Sequence, residues 1–187
     1  TDGLMPTVEA VFNKLGEPLP LGYCNAGVVI EVGAGITGLQ PGDRVATNGA
    51  HAEMVCVPRH LCAKIPEAVS DEEAAFTVLG AIALQGVRLA APTLGEMFVV
   101  FGLGLVGLLA VQFLRASGCP VLAVDVSEKR LRLAAGFGAE TVDLSQGTDP
   151  VAAATAWTGG RGVDGVLIAA SAKGDEIVHQ AAQACRK

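Results

Sequence analysis

The chain has 187 residues, of which 51% are hydrophobic and only 4% aromatic, and its formal net charge is −6 at pH 7. A sizeable core is therefore available, and it must be built from small aliphatic side chains. The negative net charge and the lack of a cluster of lysine and arginine residues argue against nucleic acid as a partner. Because the sequence has no signal or transit pattern, we expect a cytoplasmic location.

The first 66 residues are predicted to form β structure. The runs "AGVVIEV" (26–32), "HAEMVCVP" (51–58) and "LCAKIP" (61–66) are interpreted as short strands separated by glycine and proline turns. Short strands with such turns are typical of a small barrel or sandwich.

A helix is predicted from Ser70 to about Arg88, because Ser70 and Glu73 have the spacing of a capping box and acidic residues fill the first turn. The pattern changes after this helix. We place a domain boundary there, with a first domain over 1–90 and a second over 91–187.

Strands and helices alternate from residue 96 onward, which is the sequence form of a parallel sheet covered by helices. Ser127 and Asp149 are the expected N-caps of two of the helices. The predicted strands are 96–102, 120–125, 140–144 and 162–171, and the predicted helices are 105–118, 128–138, 149–159 and 174–187. A six-stranded doubly wound sheet would need two more strands, so we interpret the chain as part of a longer protein.

The apolar segment "MFVVFGLGLVGLLAVQFL" (97–114) allows two interpretations. It has the length of a membrane-spanning helix. It also contains a G-x-G-x-x-G pattern, Gly102 to Gly107, which follows a predicted strand and opens a predicted helix, while Asp125 ends the next strand. This context favours dinucleotide binding over a membrane span.

Each residue of this pattern has an expected role in holding a cofactor. Gly102 allows the tight turn, Gly104 lets the backbone approach a pyrophosphate, and Gly107 lets helix and strand pack closely. The free N–H groups at the start of the helix, around Leu105 and Val106, would face the phosphates.

The position of Asp125 predicts which nicotinamide cofactor, NAD(H) or NADP(H), is preferred. At the end of its strand it would accept hydrogen bonds from an adenosine ribose and repel a 2′-phosphate, which favours NAD(H) over NADP(H). Lys129, a further candidate for cofactor binding, and Arg130 could offset part of that repulsion.

Four segments have the form of family signatures: "AGVVIEVGAGITGLQPGDRV" (26–45), "AEMVCVP" (52–58), "VVFGLGLVGLLAVQFLRASG" (99–118) and "GVDGVLIAAS" (162–171). On these segments the sequence resembles the medium-chain dehydrogenase/reductase family, the relatives of zinc-type alcohol dehydrogenase. The resemblance implies part of a GroES-like β domain followed by a Rossmann domain, with the active site between them. It implies an oxidoreductase that passes a hydride between a nicotinamide and a small alcohol, carbonyl or activated alkene, and we also expect a homo-oligomer.

The sequence departs from this family at the metal ligands. The zinc enzymes carry Gly-His-Glu where this chain has Gly22-Tyr23-Cys24, and a cysteine ligand is missing near Thr77. The lobe with four clustered cysteines is missing too, so we predict no zinc. Two interpretations of Cys24 and His51 stay open: metal ligands, or a small buried side chain and a hydrogen-bonded residue at the start of a strand.

Tyr23 and Thr77 are the candidate catalytic residues. Tyr23 is the one tyrosine of the chain and lies where the zinc-type active site would be. Its hydroxyl could exchange a proton with the substrate oxygen, or it could be a packing residue whose hydroxyl bonds to backbone. Thr77 could bond to substrate or nicotinamide, or belong to a helix wall.

Two other functions remain open at this point. One is a regulatory module that binds NAD(H) without turnover, and the other is a scaffold without a cofactor. The segment "LGYCNAGVV" (21–29) also resembles bacterial bi-domain oxidoreductases, which implies a sugar-derived substrate and a second oxidoreductase domain after this one.

Overall fold

A computed structural model of the chain describes Val8, residues 21–171 and residues 174–186. The chain forms two compact units, one ending at Val78 and the other beginning at Leu79. Apart from Val8, the β structure predicted for the first twenty residues lies outside the described residues.

A small antiparallel sheet forms the described part of the first unit. Strand β1 (Asn25–Val28) pairs with β2 (Arg44–Thr47), which in turn pairs with β3 (Cys62–Lys64). The predicted strand over 51–58 is wrong, because that segment forms bends and irregular structure. Almost all of its residues are exposed, so its apolar side chains have no buried sheet face to occupy.

The single helix predicted after this sheet is divided in two. Helix α1 (Asp71–Ala74) begins with the predicted capping box, in which the N–H of Glu73 donates to Ser70 Oγ at 3.2 Å. The N–H of Phe76 then bonds at 3.1 Å to the carbonyl of Glu73, only three residues back, which tightens the last turn and ends the helix. Helix α2 (Thr77–Ala90) follows, and the boundary between the units falls within it.

A parallel sheet with helices on both faces forms the second unit, which confirms the predicted fold class. The strand order is β6-β5-β4-β7, so the chain moves outward from β4 to β6 and then returns to the other side of β4. The elements are β4 (Phe98–Phe101), α3 (Leu105–Ala116), β5 (Val121–Asp125), α4 (Glu128–Gly136), β6 (Glu140–Asp143), α5 (Pro150–Trp157), β7 (Gly165–Ile168) and α6 (Glu176–Ala184).

Alternate residues of β4 pack into two separate cores. Phe98 and Val100 lie with residues of α2, α3 and α4, whereas Val99 and Phe101 lie with residues of α5 and α6. All four side chains are fully buried. Because successive side chains of a strand point to opposite faces and both faces are covered, the strand is a continuous apolar run.

The apolar segment over 97–114 therefore contains a buried strand, a turn and most of helix α3. That helix has 12 residues, far fewer than the ~20 that cross a bilayer. No helix in the described part of the chain is long and apolar enough to cross a membrane.

Candidate functional site

The G-x-G-x-x-G pattern forms the turn between β4 and α3. Gly102 has a φ of +85°, a left-handed conformation that favours glycine, and a Cβ there would lie 2.7 Å from the backbone of Ala170. A Cβ at Gly107 would overlap the carbonyl oxygen of Gly102. The fold itself therefore requires both glycines.

Gly104 differs from its neighbours because the space beside it is open. Apart from Gly104 itself and its two chain neighbours, no described residue has an atom within 4 Å of the position that a Cβ would take there. Gly104 is the N-cap of α3 without a side-chain cap, and the N–H groups of Leu105, Val106 and Gly107 have no carbonyl partner within the helix. These donors, at the positive end of the helix dipole, suit a phosphate group.

The Asp125 carboxylate lies beside this turn, at the end of β5. Its Oδ2 accepts the N–H of Leu103 at 2.6 Å, and its Oδ1 accepts the N–H of Ser127 at 2.8 Å. The residue is buried, with only 6% of its surface exposed. Each carboxylate oxygen has a second lone pair, which remains able to accept a hydrogen bond from a ribose hydroxyl.

Helix α4 begins after Ser127 as predicted, but the cap is incomplete. Ser127 occupies the N-cap position, and its side chain makes no capping hydrogen bond. Lys129 and Arg130 are both exposed, and Arg130 is the one whose Nη1 lies 3.7 Å from Oδ2 of Asp125. Successive helical residues point about 100° apart, so only one member of this basic pair faces the strand end.

The glycine turn and Asp125 share one edge of the sheet. Strands β5 and β7 pair with opposite sides of β4, and the N–H of Ala169, after β7, bonds to the carbonyl of Phe101 at 2.8 Å. The strand order changes direction at β4, and ligands of doubly wound sheets bind in the crevice at the carboxyl ends of the strands at such a point.

Tyr23 lies just before β1 in the first unit. The residue is 51% exposed, and its hydroxyl makes no hydrogen bond to another described residue. The backbone partner that a packing tyrosine would need is thus not found in that part of the chain. Thr77, the first residue of α2, is exposed as well, and no hydrogen bond joins the two among the residues described.

His51 contacts the residues on either side of Tyr23. Its N–H donates to the carbonyl oxygen of Gly22 at 3.2 Å, and its Nε2 accepts the N–H of Cys24 at 3.4 Å. The imidazole lies so close to Gly22 that a Cβ there would be 2.7 Å from Nδ1. The side chain is hydrogen-bonded as one interpretation expected, but it lies in a bend and not at the start of a strand.

Asn25 anchors the loop that carries His51. Its Nδ2 donates to the carbonyl oxygens of Gly49 and Ala50, both at 3.0 Å, and its Oδ1 accepts the hydroxyl of Thr47. That hydroxyl oxygen in turn accepts the N–H of Gly49 at 3.1 Å. The position of the loop is therefore set by the paired ends of β1 and β2. Local sequence patterns gave no signal for this network.

Within residues 21–171 and 174–186, no three histidine, cysteine, aspartate or glutamate side chains are grouped so that they could hold a metal ion. The Nε2 of His51, one of the two ligands considered above, already accepts the N–H of Cys24.

The sheet order and the glycine turn define a Rossmann-type α/β fold. Two family models match the chain: "Alcohol dehydrogenase GroES-like domain" over residues 3–67 and "Zinc-binding dehydrogenase" over residues 106–187. Together with the relatives below, they show that the chain belongs to the medium-chain dehydrogenase/reductase family.

Similar proteins include a curated relative and several solved structures. The (R,R)-butanediol dehydrogenase of Bacillus subtilis is 33% identical over 175 residues, which cover 79% of this chain and 50% of the relative. Alcohol dehydrogenase TADH from Thermus sp. ATN1 has a TM-score of 0.81 at 26% identity, covering 98% of this chain and 64% of that one. Mycobacterial Rv1454c, solved in complex with NADPH, has a TM-score of 0.67 at 29% identity and covers 85% and 53%. The chain thus spans half of the length of the curated relative.

Proposed function

We propose that the protein is an oxidoreductase that transfers a hydride between NAD(H) and a small alcohol, carbonyl or activated alkene, without zinc. The observation that carries the proposal is the glycine turn: the Cβ position of Gly104 is open, the N–H groups at the start of α3 have no partner among the described residues, and the buried carboxylate of Asp125 lies beside Leu103. Membership of the family supports the same class of reaction. The cofactor, when bound, would supply or accept the hydride at C4 of its nicotinamide ring.

The residues of the glycine turn bind and orient the cofactor in this proposal. The N–H groups of Leu105, Val106 and Gly107 hold the pyrophosphate, and Gly104 leaves the space for it. Asp125 accepts hydrogen bonds from the adenosine ribose and so selects against a 2′-phosphate. Gly102 contributes through the turn that brings these groups together.

Tyr23 is the proposed residue for proton exchange with the substrate oxygen. When a carbonyl is reduced, its carbon gains a hydride and its oxygen gains a proton, and a positioned hydroxyl group that donates this proton accelerates the reaction. Oxidation of the alcohol is the same transfer in reverse, with the phenolate form accepting the proton. Tyr23 is about half exposed, which makes its side chain a candidate for contact with a ligand. Thr77, also exposed, is the second candidate for a hydrogen bond to substrate or nicotinamide.

The zinc-independent part of the proposal is supported by the donor set. Tyr23 and Cys24 stand where the zinc enzymes of the family carry histidine and glutamate. A metal would therefore need ligands that the described residues around His51 do not provide. The substrate is proposed only as a small molecule, and a sugar derivative remains one candidate within that class.

Cofactor binding and turnover are tested separately. Calorimetric titration with NAD and NADP measures binding, and the absorbance of reduced nicotinamide measures turnover of (R,R)-butanediol and of a panel of small alcohols and carbonyls. We expect NAD to bind and at least one substrate to react. Binding without any turnover would instead favour a regulatory module, and failure of both nucleotides to bind or to shift the melting temperature would contradict the proposal.

A further inference from the structure

We propose that His51 is a positioning residue that fixes the backbone at Tyr23 and thereby aims its hydroxyl group. The inference rests on the proposed function, which gives Tyr23 the proton exchange. Its evidence is geometric and independent of the cofactor. It consists of two hydrogen bonds, one close ring contact and the anchoring of the His51 loop.

The two hydrogen bonds of His51 reach both peptide units that flank Tyr23. The backbone N–H of His51 donates at 3.2 Å to the carbonyl of Gly22, which belongs to the peptide unit before Tyr23. The imidazole Nε2 accepts at 3.4 Å the N–H of Cys24, which belongs to the unit after it. A substitution of the His51 side chain removes the second bond and leaves the first. Peptide units are planar, and the two dihedral angles of a residue are the rotations between its flanking planes. Holding both planes therefore holds the direction in which the Tyr23 side chain leaves the backbone.

The ring contact with Gly22 is face-on. A Cβ at Gly22 would lie 2.7 Å from both Nδ1 and Nε2 and closer still to Cε1, so it would stand above the ring and not at its edge. No real Cβ is tolerated at such distances, which makes glycine necessary at this position while the imidazole is in place. The absence of a Cβ at Gly22 therefore lets the imidazole lie where it reaches the N–H of Cys24.

The loop that carries His51 is itself tied to the sheet. Asn25 and Thr47 are directly opposite each other in β1 and β2, and their side chains bond to each other and to the backbone of Gly49 and Ala50. Thr47 is 4% exposed. The strand pair therefore fixes the position of the loop, and His51 in turn fixes the backbone at Tyr23. The exposed side chain of Tyr23 itself makes no hydrogen bond to the described residues.

The first test observes Tyr23 directly. Because it is the one tyrosine in the chain, 3-fluorotyrosine labelling of the full 187-residue chain gives a single fluorine NMR signal. The variants are His51→Phe, which keeps a ring and removes the acceptor nitrogen, and His51→Gln, which keeps an acceptor. His60→Phe is the matched control, since His60 is an exposed histidine of the same unit.

We expect one signal at the same chemical shift for the wild type and His60→Phe. For His51→Phe we expect a shifted or split signal, and for His51→Gln a chemical shift between those of the wild type and His51→Phe. Circular dichroism checks that each variant is folded. If His51→Phe fails to fold, Gly22→Ala serves instead, because the added Cβ displaces the imidazole. An unchanged signal in a folded His51→Phe or Gly22→Ala variant would overturn the proposal.

The second test is kinetic, with (R,R)-butanediol and NAD as probes. Misplacement of a reacting group by about 1 Å costs up to ~10²-fold, so His51→Phe should lower kcat by about 10- to 100-fold while KM changes by less than roughly threefold. In a Tyr23→Phe background it should have no further effect, because residues that act as a unit are not additive. Equal losses in both backgrounds would mean a merely structural role and would also overturn the proposal.

The two tests separate this inference from the proposed function. If Tyr23→Phe alone retains full kcat, or the probes do not react, the proton exchange by Tyr23 or the choice of substrate has failed. The fluorine signal would still decide whether His51 positions Tyr23.

Discussion

The carboxylate of Asp125 accepts the backbone N–H of Leu103 at 2.6 Å, which ties the end of β5 to the glycine turn after β4. A second backbone N–H, that of Ser127, holds the other carboxylate oxygen. The cation of Arg130 approaches from helix α4, on a side chain that is 53% exposed. The position of the Asp125 carboxylate is therefore fixed by two hydrogen bonds from the backbone. The guanidinium group of Arg130 is placed less firmly, by its 3.7 Å approach to that carboxylate.

This asymmetry predicts a preference for NAD over NADP of at least tenfold, or about 1.4 kcal/mol. A 2′-phosphate about 4 Å from the carboxylate, at an effective dielectric constant of about 20, would be repelled by several kcal/mol before screening. Asp125→Ser should narrow the preference, and Arg130→Gln should widen it. Calorimetry with both nucleotides measures the affinities. Equal affinities in the wild type, or tighter NADP binding, would show that the basic pair of Lys129 and Arg130 dominates.

Gly104→Val is expected to abolish nucleotide binding and to leave the fold intact. The backbone angles at Gly104, φ −65° and ψ −172°, suit any residue. A Cβ there meets no described atom beyond the chain neighbours within 4 Å, and we expect it to occupy space that a pyrophosphate needs. Gly107→Ala is the contrasting variant, because its Cβ would overlap the carbonyl oxygen of Gly102 and should lower the melting temperature. Wild-type NAD affinity in folded Gly104→Val would place the phosphates elsewhere.

Tyr23→Phe should lower turnover by about 10²–10⁴-fold, the usual contribution of general acid–base catalysis. The substitution removes one hydroxyl group and keeps the ring. Steady-state kinetics with the substrate found in the panel measures the effect. If turnover by Tyr23→Phe stays within a few-fold of the wild type, Tyr23 has a packing role. If turnover falls strongly in Thr77→Val and not in Tyr23→Phe, Thr77 is the residue that exchanges the proton.

Elemental analysis of protein purified without chelators should find no stoichiometric zinc. The expected reason is that Tyr23 and Cys24 stand where the family resemblance places a histidine and a glutamate near the metal, together with the missing cysteine lobe. One or two zinc ions per chain would show that Cys24 and His51 recruit further ligands.

Ala91→Gly should stabilise the second unit by about 0.5–1 kcal/mol. Ala91 follows the end of α2 with a φ of +46°, a left-handed conformation in which a Cβ is crowded and glycine is not. Ala90→Gly, one residue earlier and within the helix, is the matched control and should be destabilising. Urea unfolding midpoints measure both changes, and a lower midpoint for Ala91→Gly would contradict the argument.

The sequence predicted the second unit closely because its signals are local. Each strand from β4 to β7 was expected, with ends that differ by a few residues, and Asp149 caps α5 through its side chain as predicted. The first unit was less predictable. Its apolar run over 51–58 has the composition of a strand, but strand formation needs a partner and a buried face, and neither is encoded in the run itself.

The same distinction applies to the candidate site. The glycine pattern and Asp125 are recognisable because their spacing along the chain reflects one strand–turn–helix unit. The contact between His51 and Cys24 joins residues 27 positions apart, and it depends on a loop held by Asn25. Similarly, the choice of Arg130 over its neighbour Lys129 depends on the rotation of α4 relative to β5, which no local pattern specifies.

The three glycines of the turn would have different fates in a lineage that stopped using a nucleotide. Backbone crowding would continue to select glycine at positions 102 and 107, because any other residue there collides with the chain itself. Position 104 would be released from selection, since the described residues leave its Cβ site empty. In descendants of this protein, glycine at positions 102 and 107 would therefore show only common descent. Glycine at position 104 would show whether the nucleotide is still bound.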